Sequence, residues 1–220
     1  MTTATTATNY YEIVSKLPAG SELILSDQTF EDYEEILEEI GEANGLRVSF
    51  DGELLKIMTL STRHEKYVRF FEMLMTMLSL RLRKKILHFG SSTMKISRKN
   101  RGSEPDCSFY IQNSEAVARK TSIDFSQDVP PDLVVEVDIH HDSLNKFSIY
   151  SALRVPEFWL FNGDKLKIYQ LENENYAEVE KSLALPILST EILTDFLNRL
   201  ENSDQFEVLL EFEKWLEEQK

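Results

Sequence analysis

Phe30, Tyr33, Ile36, Leu37 and Ile40 recur at spacings of three and four among acidic neighbours, which predicts a helix from Thr29 to Gly41. The pattern then changes period. "LRVSFDGELLKIM" reads as two strands around Asp51-Gly52, a strong hairpin signal. A broad apolar stripe of Tyr67, Phe70, Phe71, Leu74, Met77, Leu78 and Leu82 predicts the longest helix, opened by a Thr62-x-x-Glu65 capping box. "KILHFGSSTMKIS" suggests a strand pair turning near Gly90, and "EPDCSFYI" becomes a short strand after a Pro-Asp step. Gln112 to Lys120 fits either a helical turn or a loop.

"PPDLVVEVDIHHD" carries the most strand-like segment. Alternation puts Leu133, Val135 and Val137 on one face and Val134, Glu136 and Asp138 on the other. A helix follows from Ser143 to Leu153, then a hairpin around Asn162-Gly163, then two C-terminal helices. This order predicts one α/β or α+β domain spanning 1–220, a mixed sheet flanked by helices, with residues 1–10 disordered.

Composition is ordinary for a globular chain of 220 residues, with 42% hydrophobic and 28% charged. The single Cys107 excludes an intrachain disulfide and a Cys-rich zinc site. The first residues have no signal-peptide pattern, and the longest apolar run is broken by Glu72 and too short for a bilayer. The expectation is a cytoplasmic protein with no membrane contact. A net charge of −14 argues against general coating of nucleic acid. Yet the segment from Arg81 to Arg101 holds eight basic residues and no acidic one. It includes Lys84, Lys85, Lys95, Arg98, Lys99 and Arg101, and reads either as solvated surface or as a local phosphate-facing patch.

Acidic residues at strand positions supply the candidate chemistry. Asp106 follows Pro105, and Glu136 precedes Asp138 by two. Two carboxylates from neighbouring strands can share a hard cation such as magnesium, and a nearby ammonium, Lys146, could orient a water or offset phosphate charge. Spacing alone fits equally a half-buried strand with an acidic solvent face, a Pro-Asp turn and an exposed helix lysine.

Three blocks, "EPDCSFYI", "PPDLVVEV" and "DSLNKFSIYSALRVPEFWLFNGDKLKIYQL", resemble the Uma2 family, whose fold is that of the PD-(D/E)XK nucleases. Lys146, Tyr150 and the run Val155-Pro156-Glu157-Phe158-Trp159 match its Lys-x-x-x-Tyr and Val-Pro-Glu-aromatic-Trp pattern, and the likeness runs over roughly 25 to 215. The resemblance implies a restriction-endonuclease-like mixed sheet, with a nuclease core over about 25–185 and a C-terminal helical extension over about 186–220. It implies hydrolysis of DNA with Mg2+ or Mn2+, a catalytic set of Asp106, Glu136 and Lys146, and accessory His64 and Glu53. Asp106 and Glu136 would be metal ligands, with Asp138 a third. A homodimer would let two such sites address two strands. The chain departs from the pattern where Asp138 takes the place of the usual lysine, and where His140 and His141 follow. The alternative is a catalytically inactive binding or assembly module that keeps the fold.

Overall fold

The computed structural model describes residues 9–41, 45–139 and 146–219. The described residues begin with α1 (Tyr10–Val14) and continue through β1 (Glu22–Ser26) to α2 (Phe30–Ile40); the expectation for residues 1–8 lies outside them. Thr29 caps α2 by accepting from Asp32 N–H while the Asp32 carboxylate accepts from Thr29 N–H. A hairpin of β2 (Leu46–Phe50) and β3 (Leu54–Thr59) follows, then α3 (Thr62–Leu82). The cap of α3 is Ser61, one residue before the predicted Thr62, and its hydroxyl accepts from His64 N–H.

The next strands are β4 (Leu87–His88), β5 (Met94–Ile96), β6 (Arg101–Ser103) and β7 (Cys107–Tyr110), followed by the short α4 (Ser114–Val117). Then come β8 (Leu133–Val137), α5 (Lys146–Ala152), β9 (Glu157–Phe161), β10 (Leu166–Glu172), β11 (Asn175–Val179), α6 (Thr190–Arg199) and α7 (Gln205–Glu218).

These strands form two sheets rather than one. The first is antiparallel, in the order β1-β3-β2-β6-β5. The second runs β11-β10-β9-β8-β7-β4 and is mixed, since β8 and β9 pair in parallel. The predicted strand pair in "KILHFGSSTMKIS" does not form: β4 joins β7 in the second sheet and β5 joins β6 in the first. The chain crosses between sheets there, and crosses back between Ser103 and Cys107.

Alternation then decides what lies between the sheets. On the first sheet, Val48, Phe50, Leu55 and Ile57 face α2 and pack with Phe30, Tyr33 and Ile36. Their strand neighbours Arg47, Ser49, Lys56 and Met58 therefore point the other way, where they share one small cavity with Glu136. Gly102 is required by this packing, because a Cβ there would sit 2.5 Å from the Tyr33 hydroxyl. On the second sheet, Leu133, Val135 and Val137 join the large core with α3, α6 and α7. Val134 packs with Tyr150 and Phe158 on the opposite face. β8 is buried on both faces, as a central strand beside a parallel neighbour should be. Each fully buried aromatic, among them Phe71, Trp159 and Phe161, contributes about 1.5–3 kcal/mol.

Candidate active site

Asp106 stands at the crossing from the first sheet to the second, three residues after Ser103 of β6 and just before β7. Its Oδ2 accepts from the backbone N–H of Val137 on β8 at 2.7 Å. This bond fixes the Pro-Asp carboxylate against the end of the strand that carries Glu136. Glu136 is 5% exposed and Asp106 2%, so neither is a solvent-face acid.

Each carboxylate is held by side chains from other elements. His64, in the first turn of α3, brings Nε2 to 3.0 Å from Asp106 Oδ2. Arg47 of β2 places Nε 4.0 Å from Asp106 Oδ1. Lys146 donates to Glu136 Oε1 at 3.0 Å and lies 3.4 Å from the hydroxyls of Ser49 and Ser103, which are 3.0 Å from each other. Tyr150, one turn along α5, donates to the same Glu136 oxygen.

The electrostatics follow from burial and neighbours. Burial disfavours the Asp106 charge, but His64, the Val137 N–H and Lys146 outweigh it and hold the carboxyl below its ordinary range. For Glu136, burial dominates and the Asp106 charge adds to it, so its pKa is raised despite Lys146 and Tyr150. Burial works against the charged forms of His64 and Lys146 too. The surrounding carboxylates win, and both stay protonated above their usual values. The pair thus splits into an ionised Asp106 and a Glu136 that holds a proton more readily.

The structure brings together four predicted residues: Asp106, Glu136, Lys146 and His64. Asp138 lines the same cavity as Glu136 and Lys146, a space of about 20 Å³, and its N–H donates to Phe161 O. Glu53 is not part of this cluster. It is exposed in the turn between β2 and β3, where its N–H donates to the Asp51 carboxylate. His140 and His141 lie outside the described residues. Sequence reasoning missed Arg47, Ser49, Lys56 and Ser103. On strands alone these look like a polar solvent face, and only the second sheet makes that face interior.

The basic segment is spread over the surface. Lys84 donates to Ala184 O, and Lys85 pairs with Glu115. Lys95 pairs with Glu34. Arg98 is exposed in a 3-10 turn, while Lys99 and Arg101 line an open groove of about 560 Å³ with Arg154 of the turn after α5.

The residues fit a hard cation with few protein ligands. Asp106 Oδ1 is buried without a hydrogen-bond partner, so one oxygen of the pair has unused capacity. Among the described residues, no group of three or more His, Cys, Asp or Glu side chains is placed to hold a metal ion. Two carboxylates completed by water and a substrate phosphate is the mode magnesium takes.

Two sheets, a buried carboxylate pair, one just before β7 and one on β8, and a lysine reaching over them are what this α+β chain brings to one place. Residues 30–201 match the Uma2 family, described as "Putative restriction endonuclease", and the chain belongs to that family. A crystal structure of a "putative nuclease belonging to DUF820" from Anabaena variabilis ATCC 29413 is similar, with a TM-score of 0.46 and 12% identity. The similarity covers 77% of this chain and 99% of that one. No curated protein matches the sequence. Among the described residues, no helix is long and apolar enough to cross a membrane.

Proposed function

We propose that the chain is a divalent-metal-dependent nuclease that hydrolyses DNA phosphodiester bonds. One observation carries the reading. Asp106, just before β7, and Glu136, on β8, are buried beside Lys146, and Asp106 Oδ1 accepts no hydrogen bond. Asp106 and Glu136 would hold the cation, Mg2+ or Mn2+, with Asp138 at the cavity mouth as a further carboxylate. That ion would activate a water and offset charge on the phosphodiester. Lys146, steadied by Glu136, Ser49 and Ser103, offers its ammonium to the attacking water or to the phosphoryl oxygens. His64 and the Val137 N–H keep Asp106 ionised and oriented.

DNA would approach an acidic protein through local positive potential. The groove with Lys99, Arg101 and Arg154 supplies such a surface, and it shares β6 and α5 with the site. The test is cleavage of supercoiled and linear DNA with Mg2+ or Mn2+ against EDTA, comparing wild type with Asp106→Ala, Glu136→Ala and Lys146→Ala. Metal-dependent cutting by wild type and loss in all three is expected. Equal cutting by all four would mark a contaminant and end the proposal.

A second reading, a binding or assembly module without catalysis, is favoured by Asp138 standing where the family pattern has lysine. On α7, Phe206 is also 68% exposed while Phe212 and Leu216 are buried. Absence of cutting on every DNA form, with DNA still bound, would favour it.

A further inference from the structure

Arg47 is a largely buried cation beside the site with no role in the chemistry above. Arg47 sits on β2 with its side chain only 14% exposed, and its Nε has no hydrogen-bond partner. Its NH1 donates to its own residue's neighbour, the Leu46 carbonyl, at 2.9 Å, which fixes the guanidinium plane. Facing Nε across 4.0 Å is Asp106 Oδ1, also buried and also without a partner. Two buried, unsatisfied groups of opposite charge ordinarily close to about 2.8 Å. Here they stand apart, at the edge of the cavity that Lys56, Glu136, Asp138 and Lys146 also line. A buried guanidinium left one bond short costs free energy unless a ligand supplies the acceptor.

We propose that Arg47 is a substrate-contacting residue, whose Nε and outer amino group hold a non-bridging oxygen of the scissile DNA phosphate against Asp106 and Glu136. This rests on the nuclease reading above. A 4.0 Å separation leaves no room for an atom on the line between Nε and Oδ1, so such an oxygen would reach Nε from the cavity side. Arginine suits the task because its planar fork binds phosphate with fixed geometry and keeps its charge when buried. Arg47 also balances the cavity. Asp138 puts a second carboxylate at the mouth, and Lys56 is already paired with Glu22 on β1. Arg47 therefore supplies positive charge where Asp138 would otherwise repel phosphate.

The experiment combines Arg47→Ala, Arg47→Lys and Arg47→Gln. Single-turnover cleavage with Mg2+ is measured alongside duplex binding by fluorescence anisotropy in EDTA over a salt series. Arg47→Ala should cut about a hundredfold to a thousandfold more slowly, the loss typical of one oxyanion donor. Its binding should show a salt slope shallower by about one, for one lost phosphate contact. Lysine should restore the slope and only part of the rate, and millimolar guanidinium should partly rescue the alanine variant. Thermal melts separate this from a structural role. If Arg47 only supports Asp106, the variants lose melting temperature while the salt slope stays at the wild-type value, and the proposal is overturned. Cleavage within about twofold of wild type also overturns it. A wild type that binds DNA without cutting would defeat the nuclease reading alone, leaving the salt slopes to decide on Arg47. A wild type that neither binds nor cuts defeats both.

Discussion

Two pairs of the buried carboxylates are treated differently. Asp132 accepts from the backbone N–H of Ile111 and Asn113 at 2.6 and 2.9 Å, and from the Asn113 amide at 2.6 Å. Glu157, fully buried, accepts from Trp159 Nε1 and the Ser182 hydroxyl, each at 2.6 Å, and from the N–H groups of Leu183 and Ala184. Every donor is neutral, and each acid pins one loop: Asp132 the segment after β7, Glu157 the segment after β11. Asp106 and Glu136 instead face His64, Arg47 and Lys146, and Asp106 keeps one oxygen without a hydrogen bond. Neutral donors that saturate a carboxylate make a strut. Titratable donors that leave it short make a place for chemistry.

The largest expected effect tests that division directly. Asp106→Asn and Glu136→Gln keep shape and should lower cleavage at least about a thousandfold, with a small change in melting temperature. Glu157→Ala should do the reverse. It strands the Trp159 N–H, the Ser182 hydroxyl and two backbone N–H groups in the core, at a cost of about 2–4 kcal/mol. That is a drop of roughly 10 °C in a calorimetric scan, with cleavage per folded molecule nearly intact. A Glu157→Ala protein that is stable but inactive would erase the distinction between strut and site.

A smaller effect comes from ligand linkage. Saturating Mg2+ or Mn2+, at about a hundred times its dissociation constant, should raise wild-type stability by about 2.7 kcal/mol. The same addition should leave Asp106→Asn unmoved in differential scanning. A shift of equal size in both proteins would place the ion elsewhere. Tyr150→Phe should cost less, about 1 kcal/mol of stability together with a modest loss of rate, since the ring stays in the core and only the hydroxyl's bonds to Glu136 and Ser103 are removed.

Much of this division was legible in the sequence, and the rest was hidden for identifiable reasons. The Pro-Asp step and the alternation of β8 offered the carboxylates without deciding between site and surface, and the family resemblance through Lys146 and Tyr150 singled them out with the ammonium. Both expected hairpins form, but their registers centre the turns on Gly52-Glu53 and Gly163-Asp164, one residue later than Asp51-Gly52 and Asn162-Gly163, with the glycine at positive φ in the first central position. Arg47 and Ser49 were invisible because alternation says which residues share a face, not what covers it. Glu53 shows the converse: a motif position in the sequence is a turn residue in space. The role of Glu157 was equally concealed, for nothing in Val-Pro-Glu-Phe-Trp announces that residues 182–184 return to bond it. β1 and β11, both edge strands of modest burial, gave too weak an alternation to read.

The smallest expected effect uses a third carboxylate to ask whether burial or hydrogen bonding sets the sign. Glu201, after α6, accepts from Arg63 at 2.8 Å and from the Tyr67 hydroxyl, but its side chain is 45% exposed. With little burial to oppose them, those bonds lower its pKa below 4.5. Glu157 has more donors, yet burial outweighs them and raises its pKa above 4.5. The two acids should therefore act oppositely on stability against pH. The contribution of Glu201 is present above its unfolded value and lost as pH falls through the lower, folded one. That of Glu157 is greatest below its unfolded value and declines as pH rises through the higher, folded one. Urea midpoints at about pH 3.5 and about pH 7 check both signs. Glu201→Gln should cost under about 1 kcal/mol at neutral pH, as an exposed pair does, and the difference should shrink in acid. The penalty of Glu157→Ala should instead be larger in acid than at neutrality. If both penalties shrink in acid, hydrogen bonding governs Glu157 as well, and burial is not what separates the carboxylates of this protein.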